Sequence, residues 1–277
     1  MGYKTILVHC DATKGAASRI RVALDVARQH GAHLVGLHVR QPFQAPMFAD
    51  MTAAMDALYA SYEKTANADE AAAAAVFREL VGSAGASTEW RTLTGLADDC
   101  LIEAGRYADL IVLGQYDPEA PLAATSSDLV ERVAMATERP TLIVPHIGVT
   151  KTPGGNVMIC WNGRREAVRA VTAALPILKA AVKVTLLMID PEKSSAAAEP
   201  GAEIVQWLAR HGVKADRQHD SSEGSDIGGV ILSRAADRDM DLIVMGIYGH
   251  SRVREMVLGG ASRTLLASMT VPLLVAH

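Results

Sequence analysis

The chain has 277 residues, 49% hydrophobic and 21% charged, with a formal net charge of −4. That length accommodates two domains of about 140 residues each, and the composition is that of a globular protein with well-buried cores. The mild acidity and the absence of a dense Lys/Arg block argue against nucleic acid or an anionic membrane as partner. No apolar run approaches the roughly 20 residues of a membrane helix.

The first element is a strand, Lys4-Thr-Ile-Leu-Val-His-Cys-Asp11, entered directly from Met1 with no signal-peptide pattern. The expected location is therefore cytoplasmic. Cys10, Cys100 and Cys160 are odd in number and far apart, which fits reduced structural thiols. Ser18–Arg28 carries apolar residues at three-to-four spacing and reads as a helix. A second strand follows at Ala32–Val39, then a Pro/Met/Ala-rich stretch around Gln41–Tyr62 that reads as a loop plus extra helix length. Met47, Met51 and Met55 fall at helical spacing and read as a packing face. The alanines from Ala71 to Ala75 are good helix formers. Ala108-Asp-Leu-Ile-Val-Leu-Gly114 is a later strand, and Pro140 opens the last one of this half, Thr141–Val144.

After a turn-rich linker, Gly148–Gly155, the same unit recurs. Asn156-Val-Met-Ile-Cys-Trp-Asn162 corresponds to the first strand, Arg165–Leu175 to the first helix, and Val182–Ile189 to the second strand. Met240-Asp-Leu-Ile-Val-Met-Gly246 matches Ala108–Gly114 at an offset of 132 residues, which Pro272 and Pro140 share. Asp11 and Asn162 stand 151 apart, so the first half carries 19 additional residues, placed at Gln41–Tyr62.

Each half thus reads β-α-β-α-β-α-β-α-β, and the domains are set at 1–147 and 154–277. Alternating strands and helices imply a parallel sheet covered on both faces. The fold class is α/β: two tandem doubly wound five-stranded sheets of Rossmann-like type, each with a crevice at the carboxyl ends of its strands. The last strands, Thr141–Val144 and Pro272–Val275, are edge candidates that can pair within one chain and so protect both edges.

In the second half an apolar strand runs into Gly246-x2-Gly249-x9-Gly259-Gly260. Glycine admits positive φ and close approach of a ligand to the backbone, and a strand-to-helix junction aims free N–H groups at an anion. These residues resemble the universal stress protein family in its tandem form, over nearly the whole chain. The resemblance implies ATP or a related adenine nucleotide, with Mg²⁺, in the second half. Its phosphates would lie at Gly249, Gly259, Gly260, Ala261 and Ser262, its adenosine near Asn162 and Ile189, and Met245 and Gly246 would form the strand exit. The family's closing Ser/Thr is Gly260 here, and its first-strand Asp is Asn162, which keeps an acceptor oxygen without the charge.

In the first half Gly114 persists, but Asp117 and Ser127-Asp128 stand where the later glycines should be. Carboxylates there repel phosphate at short range, so this half is expected to be a degenerate copy in which Asp11 and Val39 preserve an adenosine-shaped pocket. His250, Arg252 and Arg254 read either as phosphate contacts or as a solvated face. His9 and His38 are too few for a zinc site. Asp190 and Glu192 could hold Mg²⁺ but, beside Pro191, read first as a turn. No Walker motif, nucleophile elbow or His-Glu-x2-His is present, so no catalytic residue is nominated. The expected function is a stress-response binding or signalling module, an internal pseudo-dimer that can also associate as a homodimer, without nucleic acid or membrane partners. The alternative is a nucleotide-free interaction protein; an adenine-nucleotide hydrolase stands behind both.

Overall fold

The structure, a computed structural model, describes residues 2–44, 52–82, 85–119, 126–191, 199–247 and 260–277. The first half runs β1 (Thr5–His9), α1 (Ala16–His30), β2 (His33–Arg40), α2 (Thr52–Val81), β3 (Thr88–Thr94), α3 (Ala97–Gly105), β4 (Leu110–Gly114), α4 (Leu129–Thr137) and β5 (Thr141–Val144). The second repeats it with β6 (Asn156–Cys160), α5 (Arg165–Leu178), β7 (Lys183–Ile189), α6 (Ala202–Arg210), β8 (Asp216–Asp220), α7 (Ile227–Asp237), β9 (Leu242–Gly246), α8 (Gly260–Ser268) and β10 (Leu273–Ala276). The extra length of the first half is mostly helix: α2 has 30 residues where α6 has 9.

Each half is a parallel sheet, and the two join edge to edge in the order β3-β2-β1-β4-β5-β10-β9-β6-β7-β8. The junction is antiparallel, with Leu274 opposite Leu142. The pairing of the two last strands expected from the sequence is present, and it turns two five-stranded sheets into one of ten. Strands covered on both faces read as continuous apolar runs, as Leu110–Leu113 and Leu242–Met245 do, all buried. The outermost strands are polar instead, Thr-Glu-Trp-Arg-Thr-Leu-Thr in β3 and Asp-Arg-Gln-His-Asp in β8. Charge on an exposed edge discourages further strand pairing.

Alternate residues of each strand feed two cores. Ile6, Val8, Leu142 and Leu274 belong to the layer under α1, α2, α5 and α6, whereas Leu7, Ile143 and Leu273 belong to the layer under α3, α4, α7 and α8. Both layers are continuous across the two halves. Specific bonds add to this junction. Tyr3 donates to Ala173 O at 2.8 Å, and Gln115 Nε2 donates to Leu266 O and Ala267 O at 3.0 and 3.1 Å. Asp109 accepts the N–H groups of Lys4 and Thr5 that open β1. Its repeat mate Asp241 accepts those of Gly154, Gly155 and Asn156 that open β6.

Candidate functional site

Strand order reverses between β1 and β4 in the first half and between β6 and β9 in the second. Ligands of open α/β sheets bind outside the carboxyl ends at such a reversal. In the second half Cys160 is level with Leu187 on β7 and Met245 on β9. Asn162, two residues beyond β6, therefore shares an edge with Ile189, the last residue of β7, and with Met245 and Gly246, the last two of β9. The structure brings these four together. Gly260, Ala261 and Ser262 open α8. Their neighbours are at the start of α7 and its capping residue: a Cβ on Gly260 would lie 3.6 Å from Asp226 Oδ1, and one on Gly228 would lie 2.9 Å from Ala261 O. Ser262 is buried. Gly249 and Gly259, with His250, Arg252 and Arg254, lie outside the described residues, as do Glu192, Met47 and Met51.

Asn162 has a local structural task. Its Oδ1 accepts from Arg164 N at 3.0 Å, as Asp11 Oδ1 accepts from Thr13 N at 3.0 Å in the first half. Both are turns closed by a side chain onto a backbone N–H two residues on, which needs an oxygen but no charge. Behind it, α5 starts hard against Gly246, where a Cβ would come within 2.5 Å of Ala167 N and 2.7 Å of Glu166 Cβ. Only glycine leaves room for that approach. Glu166 is buried, and its carboxylate pairs with Arg165 Nε. Burial pushes the Glu166 pKa up, but the Arg165 hydrogen bond and charge outweigh it and hold the group below its usual range.

The first half is built differently at the same place. Arg19 reaches back from α1, buried to 5% exposure, with its guanidinium against the α-carbon of Gly114. Its Nε donates to His9 O at 2.6 Å and its Nη2 lies 2.8 Å from Asp11 Oδ2. What remains is a cavity of about 40 Å³ beside His9, Asp117 and His146. That is room for a water or two and far below the ~300 Å³ of a small-molecule site. Between Asp11 and Gly114, the space expected to keep an adenosine-shaped pocket is thus taken up by Arg19. Burial pushes the Asp11 pKa up, yet Arg19 and His9 together hold it well below the carboxylate range. Burial lowers that of His9 to about 4 against the pull of Asp11.

Other sequence candidates resolve into structure. His38 Nδ1 pairs with Cys10 O at 2.9 Å, and among the described residues no three His, Cys, Asp or Glu side chains converge as a metal site. Asp190 sits at φ 44° and accepts from Ser221 Oγ and Ser222 N, so its carboxylate closes a turn. Burial pushes the Cys10 and Cys160 thiols up to about 12, which disfavours the thiolate form. Arg19, Asp109, Asp241 and Gln115 were not singled out by the sequence. The one available signal was Asp at the same place in both repeats.

Two doubly wound halves sharing one sheet, each with a switch-point edge, define a tandem α/β protein. The model of the Universal stress protein family matches residues 2–145 and again 155–277, and the chain belongs to that family. A universal stress protein of Synechocystis is 27% identical over 190 residues, covering 65% of this chain and 62% of that relative, so the match spans about three-fifths of the relative's length. A universal stress protein of Archaeoglobus fulgidus superposes with a TM-score of 0.70 at 17% identity, over 98% of this chain and 95% of that one. A functionally unknown protein of Pseudomonas aeruginosa gives 0.57 at 14% identity, over 99% and 92%. At such identities the structural likeness concerns the fold. Among the described residues no helix is long and apolar enough to cross a membrane.

Proposed function

We propose that the second half binds an adenine nucleotide, ATP or a close relative with Mg²⁺, and that the protein works as a cytoplasmic binding or signalling module and not as a catalyst. The observation that carries this reading is the asymmetry of the two switch points. The first is plugged by Arg19; at the repeat position the second has Ala170, whose side chain is buried and too short to reach the edge. There Asn162, Ile189, Met245 and Gly246 meet, and the chain continues into Gly249-x9-Gly259-Gly260. Asn162 and Ile189 would flank the adenosine. Met245 and Gly246 would form the strand exit, and Gly249, Gly259, Gly260, Ala261 and Ser262 would face the phosphates with backbone N–H groups. Arg165 pairs with Glu166, whose backbone abuts Gly246 at this edge. The nucleotide would be held as a ligand and not turned over.

Titration calorimetry with ATP and Mg²⁺ should give one site per chain. Gly249→Asp, which installs the residue present at 117, should weaken binding at least about a hundredfold while the fold persists, from a lost charge-assisted contact plus carboxylate repulsion. Two equivalent sites, or unchanged affinity in the folded variant, would overturn the reading. A protein that binds no nucleotide would favour the interaction module instead.

A further inference from the structure

The second half carries a concavity reached by Trp161, the residue before Asn162. Trp161 and Trp207 face a cavity of about 430 Å³ between α5 and α6, floored by Val168, Val171 and Ile204 and bordered by Glu203 and Arg210. It exists because the repeat is unequal. In the first half α2 packs along α1 with Ala73, Ala74 and Phe77 all buried, and Phe77 lies against Trp90. In the second half α6 has 9 residues and covers less of α5, leaving Val168 46% exposed. Trp161 stands where the first half has the fully buried Cys10.

The chemistry of the lining is specific. The third tryptophan, Trp90, donates its indole N–H to Thr92 Oγ1 at 3.2 Å. The indole N–H groups of Trp161 and Trp207 have no acceptor among the described residues, and Glu203 and Arg210 have no ion-pair partner among them. Half-buried indoles normally find a partner for that donor. Thr172 spends its own hydroxyl proton on Val168 O at 2.8 Å. The site therefore offers flat apolar walls, two spare N–H donors and a spare guanidinium, against one spare carboxylate. A donor-rich aromatic slot of this volume suits a small planar ligand rich in acceptors.

We infer that the α5–α6 groove is a binding site for a planar aromatic anion, such as an aromatic carboxylate or sulfonate. The ring lies between the Trp161 and Trp207 walls, and the acidic group is held by Arg210. This site shares no lining residue with the proposed nucleotide edge and does not depend on that reading.

The probe is 1-anilinonaphthalene-8-sulfonate, titrated into the full chain with its uncharged analogue N-phenyl-1-naphthylamine as comparator. One saturable sulfonate site is expected, with energy transfer from tryptophan. Arg210→Gln, an exposed substitution that leaves the core untouched, should weaken sulfonate binding about tenfold, the loss of one partly exposed charge-assisted contact, and leave the uncharged analogue nearly unchanged. Trp207→Phe and Ile204→Glu should weaken both probes. Absence of saturable binding, equal loss of both probes in Arg210→Gln, or indifference of both to Ile204→Glu in a chain with wild-type thermal unfolding would overturn the assignment. Gly249→Asp should not affect either probe.

Discussion

Arg19 and Asp11 form an ion pair at 2.8 Å over the carboxyl edge of the first half, in the space between β1 and β4 where a ligand would otherwise sit. The first half carries its own cation. Arg19→Ala leaves Asp11 unpaired in a largely enclosed place and opens a void along α1, so a loss of about 3 kcal/mol is expected. Urea unfolding checks it. Asp11→Asn in the Arg19→Ala background should recover part of that loss, because the stranded charge is gone.

His9 gives the protein a pH dependence of known sign. Burial lowers its folded pKa from 6.5 to about 4, so as the pH falls the unfolded chain takes up the proton first. Its contribution is complete above about pH 6.5 and drains away towards pH 4, by up to about 3 kcal/mol. Denaturation midpoints measured between pH 7 and 4.5 should fall in the wild type and fall distinctly less in His9→Asn. Parallel curves would mean that His9 titrates freely in the fold.

Asp241 accepts from three consecutive backbone N–H groups at 2.8, 3.1 and 2.8 Å. Asp241→Ala strands those donors where the linker enters β6 and should cost about 2–3 kcal/mol. Asp109→Ala removes two such bonds and should cost somewhat less. Calorimetric unfolding of both variants compares them directly.

Gly114 and Gly246 occupy matching strand ends but answer differently to a methyl group. At 246 the new carbon meets the start of α5, within 2.5 Å of Ala167 N, whereas at 114 it meets the far end of the Arg19 side chain. Backbone cannot yield as a side chain can. Gly246→Ala should destabilise by about 2 kcal/mol or more and Gly114→Ala by clearly less, as thermal melts of the two would show.

The repeat was legible because its offset is fixed by residues with firm geometric tasks. Pro140 and Pro272 open the last strands, and Asp109 and Asp241 tie the first ones. The pairing of β5 with β10 followed from two short apolar strands that need cover. The tasks of the aspartates were not legible, since nothing in Ala-Asp-Leu-Ile-Val says which N–H groups the carboxylate will meet. Arg19 read as one charge on an amphipathic helix; only the depth of α1 against β4 turns it inward. Trp161 and Trp207 are 46 positions apart, and their shared groove depends on how short α6 is. The switch-point edge formed by Asn162, Ile189 and Gly246 followed from strand order, which local pattern and right-handed crossovers dictate.

The antiparallel step from β5 to β10 has an evolutionary corollary. Were the two halves separate copies of one chain meeting at that step, every substitution would appear on both sides together. A guanidinium introduced to close one crevice would close its twin as well. With both halves in one polypeptide, a position and its counterpart can diverge freely, as Arg19 and Ala170 have. The linker at 148–155 therefore does more than tether two domains: it frees each from having to be a copy of the other.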